Sequence, residues 1–305
     1  MDIVVVGSLN LDLVASVPRN PEVGETITGT DFKRFIGGKG ANQAVAASLV
    51  GGRVHMIGRH GTDGLEIGLL ATLREKGVRI DAVTPAEGAS GVAVILVTND
   101  GHNSIVVVPG SNGRFCVEDV IASRSLIEQA GIVLTQLETP LEALEATVDI
   151  AATAGVPVVL DPAPACTLPP KLLGRLDWFT PNETEAAFYC GERVPAEGDV
   201  RGYAERLLAL GPRNILLKLG ARGAYLATAS GIRQQVAAIS VRSVDSTAAG
   251  DALNGAFAAA LMNGADPLEA VRFGVAAASL SVTRAGAIPS LPTLAEVEEF
   301  RRERG

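Results

Sequence analysis

The chain has 305 residues, of which 47% are hydrophobic and 20% are charged, and its formal net charge is −8. This length and composition predict one large globular domain with an appendage and exclude a wholly disordered chain. Because the sequence contains no basic stripe, it predicts no nucleic-acid partner.

The cysteines and histidines do not form a metal-binding pattern. Cys116, Cys166 and Cys190 are far apart, and the sequence contains neither C-x-x-C nor H-E-x-x-H. Free thiols, buried or partly buried, are therefore expected, and they fit a reducing cytoplasm. We recognise no signal peptide and no apolar stretch long enough to cross a bilayer. These features predict a cytoplasmic protein without a membrane partner.

Short apolar runs alternate with helical periodicity along most of the chain. The runs predict buried strands at residues 3–6, 132–134, 156–160 and 215–219, and helices are expected at 41–50, 65–76, 140–154 and 252–263. The last third is expected to be helical from 252 to 283 and again from 293 to 302. Such alternation predicts an α/β protein with a layered sheet and right-handed crossovers.

Two stretches, residues 11–36 and 90–109, depart from this pattern. Residues 25–32 alternate with a period of two, and Asn99-Asp100-Gly101 between two apolar runs predicts a hairpin. We interpret both stretches as a small separate sheet that serves as a lid or an interface. The alternative is that they add edge strands to the main sheet.

The segment Thr247-Ala-Ala-Gly-Asp251 leads directly into a helix of small residues. Small residues before a helix allow backbone N–H groups to converge on an anion, and the helix dipole adds positive potential. Beside such a pocket, Asp251 could act as a base towards a substrate hydroxyl. It could also be an ordinary carboxylate that satisfies free N–H groups at a helix start, which is the commonest reason for an aspartate at such a position.

The segment Gly37-Gly-Lys-Gly-Ala-Asn42 also precedes a helix. It is neither a Walker A loop nor a dinucleotide fingerprint, which argues against a nicotinamide dehydrogenase. It presents Lys39 and Asn42 as partners for hydroxyl or phosphate groups. Taken alone, the segment is better explained as a simple glycine-rich loop with a helix that begins at Gly40.

Three further segments carry polar residues next to predicted strands. Asn10 and Asp12 follow the first strand, where ligands commonly bind in α/β sheets, although such residues also start turns. Asn182 and Glu185 have the spacing to serve a hydrated Mg²⁺ or to form a helix capping box. Residues 218–224 could border a nucleotide or simply connect two strands.

The order of these segments closely resembles the ribokinase family of carbohydrate kinases over nearly the whole chain. Residues 37–47, Gln136-Leu-Glu138, Asp161-Pro-Ala-Pro-Ala165, 180–185 and Thr283-Arg-x-Gly286 carry the resemblance in detail. The resemblance implies one kinase domain over 1–305 with a three-layer α/β/α core, a mostly parallel sheet and a β-sheet lid formed by about 11–36 and 90–109. It further implies phosphorylation of D-ribose at O5 with ATP and Mg²⁺, activation by K⁺, and a homodimer formed through the lid.

Matched motif by motif, the resemblance assigns roles to individual residues. The sugar would be held by Asn10, Asp12, Gly38, Lys39, Asn42, Glu138 and Asp251. The catalytic group would comprise Asp251 as the base and an anion hole of Ala248, Ala249 and Gly250. The nucleotide would be bordered by Asn182, Leu219, Gly220, Ala221, Arg222, Gly223, Ala224 and Gly250. Glu185 would serve the Mg²⁺ region, and a monovalent-cation site would involve Asp245, Thr247, Ser281, Arg284, Gly286 and Ser290.

Alternatives to ribose phosphorylation remain at this point. The chain could phosphorylate deoxyribose, fructose or adenosine, or it could bind a sugar without catalysis. The presence of Asp251 with Gly250 argues against a mere binding protein, which needs no base. An unperturbed Asp is ionised at neutral pH, so the sequence does not require a raised pKa for Asp251.

Overall fold

The structure, a computed structural model, describes residues 1–98, 103–193 and 199–304. In this part of the chain a large sheet has the strand order β13-β12-β11-β10-β9-β8-β1-β4-β5. Its pairs are parallel from β11 to β5, whereas β11–β12 and β12–β13 are antiparallel. The strand bounds are β1 Asp2–Val6, β4 Val54–His60, β5 Arg79–Pro85, β8 Ala130–Gln136, β9 Val158–Asp161, β10 Trp178–Phe179, β11 Asn214–Lys218, β12 Ala224–Thr228 and β13 Arg233–Val236.

Helices cover both faces of this sheet. Because successive strand residues point to opposite faces, Ile3 and Val5 join the apolar core that includes α1, α9 and α10, whereas Val4 and Val6 join the core that includes α5 and α8. The three-layer prediction is therefore confirmed. The helix bounds are α1 Lys39–Leu49, α2 Glu66–Glu75, α3 Val117–Ala122, α4 Arg124–Glu128, α5 Leu141–Thr153, α6 Pro170–Leu173, α7 Glu183–Tyr189, α8 Val200–Ala209, α9 Ala249–Met262, α10 Pro267–Ser281 and α11 Leu294–Arg304.

A second, smaller sheet confirms that the two irregular stretches lie outside the main layer. Its strands are β2 Asn10–Val17, β3 Asp31–Gly37, β6 Gly91–Thr98 and β7 Asn103–Val108, in the order β3-β2-β6-β7. The alternative of extra edge strands on the main sheet is wrong. Of the alternating residues 25–32, only the last two belong to a strand. The strands β6 and β7 pair antiparallel, and the predicted turn at Asn99-Asp100-Gly101 lies outside the described residues.

The C-terminal third contains a break that agrees with the helix expected at 252–263 but not with one continuous helix over 252–283. The expected helix over 252–283 is interrupted after Met262, where Gly264 has a φ of +89°. Asp266 then accepts hydrogen bonds from the N–H groups of Leu268 at 2.9 Å and Glu269 at 3.0 Å, and Pro267 occupies the first helical position. A left-handed glycine followed by a cap and a proline ends one helix and starts the next.

The close approach of α9 to α1 brings the predicted site residues together. A Cβ built on Gly255 would lie only 2.6 Å from the carbonyl oxygen of Gln43, so glycine is required for this contact. Small buried residues such as Ala252 and Ala256 continue the contact surface of α9. As a result, the first turn of α9 faces the first turn of α1.

The described cysteines are free, as expected, but the prediction of at least partial burial is wrong for Cys166. Cys116 and Cys190 are partly buried, whereas Cys166 is exposed because it lies in a loop after β9. Within the described ranges, no helix has the length and apolar character needed to cross a membrane.

Candidate active site

Asp251 lies in the first turn of α9 and is 5% exposed. Its Oδ1 accepts a hydrogen bond from Nε2 of Gln43 at 3.0 Å, and its Oδ2 accepts one from Nδ2 of Asn42 at 3.0 Å. Both donors come from α1, and neither is a backbone group of α9. The carboxylate therefore does not act as a helix cap, and the local geometry favours the interpretation of Asp251 as a base.

Charged side chains from other elements, among them Asp12 and Lys39, lie close to Asp251. Asn10 and Asp12 lie at the start of β2 rather than in a turn, and Asn10 is 3% exposed. Asn112 fixes Asn10, because its Nδ2 donates to Asn10 Oδ1 at 2.7 Å. The buried Oδ1 of Asn42 has no hydrogen-bond partner among the described residues. A buried acceptor of this kind fits a ligand that carries hydroxyl groups.

The turn before α1 delivers Lys39 to the same place. Gly38 precedes the helix with a φ of +89°, and a Cβ there would lie 2.8 Å from the backbone nitrogen of Asn10. Glu138 follows β8 and accepts hydrogen bonds from the N–H of Lys39 at 3.0 Å and from the hydroxyl of Ser8. These contacts bring the carboxyl ends of β1 and β8 in the large sheet next to the start of β2 in the smaller sheet, as expected for a ligand site.

Burial, together with neighbouring acidic groups, changes the ionisation of this site. Burial raises the pKa of Asp251 to about 6, with Asp161 adding to the shift and Lys39 opposing it. Burial and the neighbouring Glu138 and Asp251 likewise raise the pKa of Asp12 to about 6. The pKa of Lys39 is raised because nearby carboxylates, Asp251 first among them, outweigh the effect of its burial. The sequence did not require a raised pKa, and the pKa of Asp251 lies closer to pH 7 than that of an unperturbed aspartate. The carboxyl group nevertheless remains mainly ionised at pH 7.

The backbone at the start of α9 has an unusual shape. Ala248 has a φ of +59°, the one left-handed non-glycine residue within the described ranges. The N–H of Ala249 donates to the carbonyl of Ser246 at 3.2 Å. The N–H groups of Gly250 and Asp251 have no acceptor in the described structure, so these two can face an anion.

A cavity of about 430 Å³ opens beside this turn. It is lined by Gly220, Ala221, Gly223 and Gly250 from the predicted nucleotide-binding set. Leu219 and Ala224 are buried in the core, and Arg222 pairs with Glu183 on the surface, so these three do not line the cavity. The apolar wall of this cavity cannot be recognised from the sequence, because its residues look like ordinary core positions. That wall includes Ala238, Ile239, Val241, Leu253, Val275, Ala278 and Val282.

Asn182 and Glu185 form the capping box that was one of the two alternatives. Asn182 Oδ1 accepts from the N–H of Glu185 at 2.8 Å, and Glu185 Oε2 accepts from the N–H of Asn182 at 2.8 Å. Burial raises the pKa of Glu185, and the positive charge of Lys218 partly opposes this increase. Both residues also line a second pocket with Ala165 and Phe188. The pair therefore has a structural role and still presents polar atoms to a cleft.

The residues of the expected cation site lie in two adjoining segments. Asp245 accepts from Thr247 through Oδ1 and from the N–H of Gly286 through Oδ2 at 2.8 Å. Ser281 and Ser290 donate their hydroxyls to local carbonyls, and Arg284 pairs with Glu296. The side chains thus do not converge as ligands. Any cation between these segments would depend largely on backbone carbonyls.

Comparison with known proteins identifies relatives over nearly the whole chain. The pfkB family of carbohydrate kinases matches residues 1–294. A ribokinase of Haemophilus influenzae is 39% identical over 297 residues, which are 97% of each chain. A deoxyribokinase of Salmonella typhi is 33% identical over 305 residues, with 98% of each chain covered. The structure of Arabidopsis thaliana ribokinase complexed with ribose and ATP superimposes with a TM-score of 0.89, at 34% identity over 98% of both chains.

Proposed function

Since this chain belongs to the pfkB family of carbohydrate kinases, we propose that it transfers the γ-phosphoryl group of ATP to O5 of D-ribose. The protein is an ATP-dependent carbohydrate kinase. One observation carries the proposed chemistry: the buried Asp251 carboxylate accepts a hydrogen bond from Asn42, lies close enough to Asp12 to raise its pKa, and directly follows Gly250, which lines the cavity. The full-length similarity to ribokinases supports ribose as the acceptor.

In the proposed reaction, Asp251 accepts the proton of O5 while O5 attacks the γ-phosphorus. The new bond joins O5 to phosphorus, and the bond from phosphorus to the bridging oxygen of ATP breaks to release ADP. The N–H groups of Gly250 and Asp251 would stabilise the negative charge on the transferring group. Asn42 Oδ1 and the carboxylates of Asp12 and Glu138 would accept hydrogen bonds from the sugar hydroxyls and so orient it.

Mg²⁺ is part of the proposal because phosphoryl transfer from ATP uses it. The ion prefers oxygen ligands and usually keeps several waters beside the nucleotide phosphates, so it needs few protein groups. No group of three or more acidic, His or Cys side chains suited to a resident metal occurs within the described ranges. Glu185 and Asn182 would be sufficient to hold such a hydrated ion. When bound, Mg²⁺ would neutralise part of the charge on the phosphates.

Potassium activation is expected to act on the segment before the anion hole. The hydrogen bond from the N–H of Gly286 to the Asp245 carboxylate holds residues 281–286 against residues 244–247, which lead into Ala248. A cation held by carbonyls there would fix that segment. We therefore expect a higher kcat in potassium chloride than in an equal concentration of choline chloride. Equal rates in the two salts would contradict this prediction.

Activity is expected to decrease as the pH is lowered through about 6, because only ionised Asp251 can accept a proton. The pKa of Asp12 is raised to about 6 as well, so the logarithm of kcat/KM for ribose should fall with a slope between about one and two. Steady-state rates between about pH 5 and 8 measure this profile. In Asp12→Asn the Asp251 titration should remain, whereas a flat profile would contradict the assignment of the base.

A homodimer formed through the lid sheet is also proposed. Consecutive residues of β7 are half-exposed or more, with Ile105 at 52%, Val106 at 63% and Val107 at 50%. Because consecutive strand residues face opposite sides, apolar groups are exposed on both faces. We expect light scattering to give the dimer mass at micromolar concentration and Val106→Asp to shift the protein towards monomers. A wild-type monomer under these conditions would contradict the proposal.

A cytoplasmic location is proposed from the thiols. Cys116, Cys166 and Cys190 are free in the structure. Free cysteines persist in reducing compartments such as the cytoplasm.

A substrate panel tests the proposed function. The purified protein is assayed with ATP and ribose, 2-deoxyribose, fructose or adenosine, and the phosphorylated carbon is identified by NMR. Ribose should have the highest kcat/KM and be phosphorylated at C5. Deoxyribose is the second candidate, because a deoxyribokinase is 33% identical to the chain. If ribose is no better than the other acceptors, the proposal is wrong.

A further inference from the structure

Lys218 and Asp161 form a buried ion pair that none of the roles above requires. Lys218 ends β11 and Asp161 ends β9, and the Nζ–Oδ1 distance is 2.7 Å. The two side chains are only 10% and 2% exposed. Because the loss of hydration offsets most of the attraction, a buried ion pair contributes little net stability. Its presence at the edge of the active site therefore calls for a functional explanation.

The two partners differ in how fully their hydrogen-bonding capacity is used. The other oxygen of Asp161 accepts from Gln43 Nε2 at 2.9 Å and from Asn254 Nδ2 at 2.9 Å, so the carboxylate is fixed by three donors. The ammonium group of Lys218 has Asp161 as its one hydrogen-bond partner in the described structure. An ammonium group has three N–H donors, so two remain for a ligand.

The position of Lys218 indicates what that ligand is. Its side chain lines the 430 Å³ cavity together with Gly220, Gly223 and Gly250. A Cβ built on Gly250 would lie 3.5 Å from Lys218 Nζ, so the ammonium group is in contact range of the first turn of α9. That turn carries the free N–H groups of Gly250 and Asp251 and the positive end of the helix dipole. A fixed cation thus lies beside a turn with two free N–H groups, an arrangement that suits phosphate oxygens.

We propose that Lys218 binds the terminal phosphates of the nucleotide directly and that Asp161 is the positioning residue that holds its ammonium group there. This inference rests on the proposed function only in that a nucleoside triphosphate occupies the cavity. Asp161 is also linked through Gln43 Nε2 to Asp251, at 2.9 and 3.0 Å. The network thus connects the phosphate-binding side of the site with the base.

The alternative is that Lys218 only neutralises Asp161. In that case, removing both charges together should restore the site, because no buried carboxylate is left unpaired. If Lys218 contacts phosphate, removing Asp161 as well cannot restore the lost contact. The double variant Lys218→Met/Asp161→Asn therefore separates the two explanations.

The test measures nucleotide binding by calorimetry without sugar, using Mg²⁺ with a non-hydrolysable ATP analogue and, separately, AMP. We expect Lys218→Met and the double variant to bind the ATP analogue about 10- to 100-fold more weakly than the wild type. Both should bind AMP within about two-fold of the wild type, because AMP lacks the terminal phosphates. Thermal melting of each variant and of the wild type in the presence of AMP shows whether the variants are folded.

Three results would overturn the proposal. The first is unchanged affinity of Lys218→Met for the ATP analogue. The second is recovered affinity in the double variant, which would reduce Lys218 to a counter-ion. The third is a double variant that either loses AMP and analogue binding equally or does not fold. In that case the ion pair would support the cavity itself. Because no sugar is present, failure of the ribose assignment would leave these results unaffected.

Discussion

Asp251→Asn is expected to lower kcat by about 10²- to 10⁴-fold while leaving the affinity for ribose nearly intact. The substitution keeps the shape of the side chain and removes its capacity to accept a proton. The carboxylate of Asp251 is bonded to two amide donors, Asn42 Nδ2 and Gln43 Nε2. The new amide can satisfy one of these donors with its oxygen, so a modest loss of stability is expected as well. Steady-state kinetics give kcat, and calorimetric titration with ribose gives the affinity.

The matched control for this variant is Asp266→Asn. Asp266 also lies at a helix start, but its carboxylate caps α10 through the N–H groups of Leu268 and Glu269. Asparagine caps helices about as well as aspartate, so turnover and stability should change little. Near-wild-type turnover of Asp251→Asn would disprove the assignment of the base. Loss of ribose binding together with turnover would instead point to a structural role.

The contrast between these two aspartates also explains what the sequence could and could not predict. Asp251 and Asp266 both precede or begin a helix of mostly apolar residues, and local spacing does not separate a base from a cap. The difference arises from α1, which is distant in sequence and supplies Asn42 and Gln43. Only the order of several motifs along the chain, or the folded structure, can separate the two.

The layered fold could be predicted from the sequence more fully than the site. Continuous apolar runs such as residues 3–6 predict strands covered on both faces, and the alternation of Ile3 and Val4 between two cores confirms this. The break at Gly264 agrees with the helix expected at 252–263 but not with the continuous helix expected over 252–283, although Gly264 followed by Asp266 and Pro267 is a recognisable stop and start signal. The ion pair between Lys218 and Asp161 escaped prediction. Each residue simply ends an apolar strand, and their pairing depends on strand order, which periodicity does not reveal.

The site also contains residues whose dual role no local pattern can resolve. Asn182 and Glu185 have a spacing that suits both a capping box and a cation site. The structure contains the capping box, yet the same residues line a pocket. A capping box holds the side chains rigidly in place, so the structural role and the proposed role beside Mg²⁺ are compatible.

Gly38→Ala is expected to raise the KM for ribose by about 10- to 100-fold, which corresponds to about 1.4–2.8 kcal/mol. Gly38 has a φ of +89°, and an added Cβ would approach the backbone nitrogen of Asn10 to 2.8 Å. The backbone cannot yield without moving either Asn10 or the turn that carries Lys39. Two proposed sugar-binding residues would therefore be displaced by one methyl group.

The matched control is Gly64→Ala, which separates backbone strain from displacement of the site. Gly64 has a φ of +88°, almost the same as that of Gly38, but a Cβ there would meet no atom within 4 Å. Both variants should lose about 1–3 kcal/mol of stability from the left-handed conformation. Only Gly38→Ala should also weaken ribose binding, and KM values at saturating ATP with parallel thermal melts measure the difference. If the two variants have the same KM for ribose, the turn at Gly38 does not position the sugar.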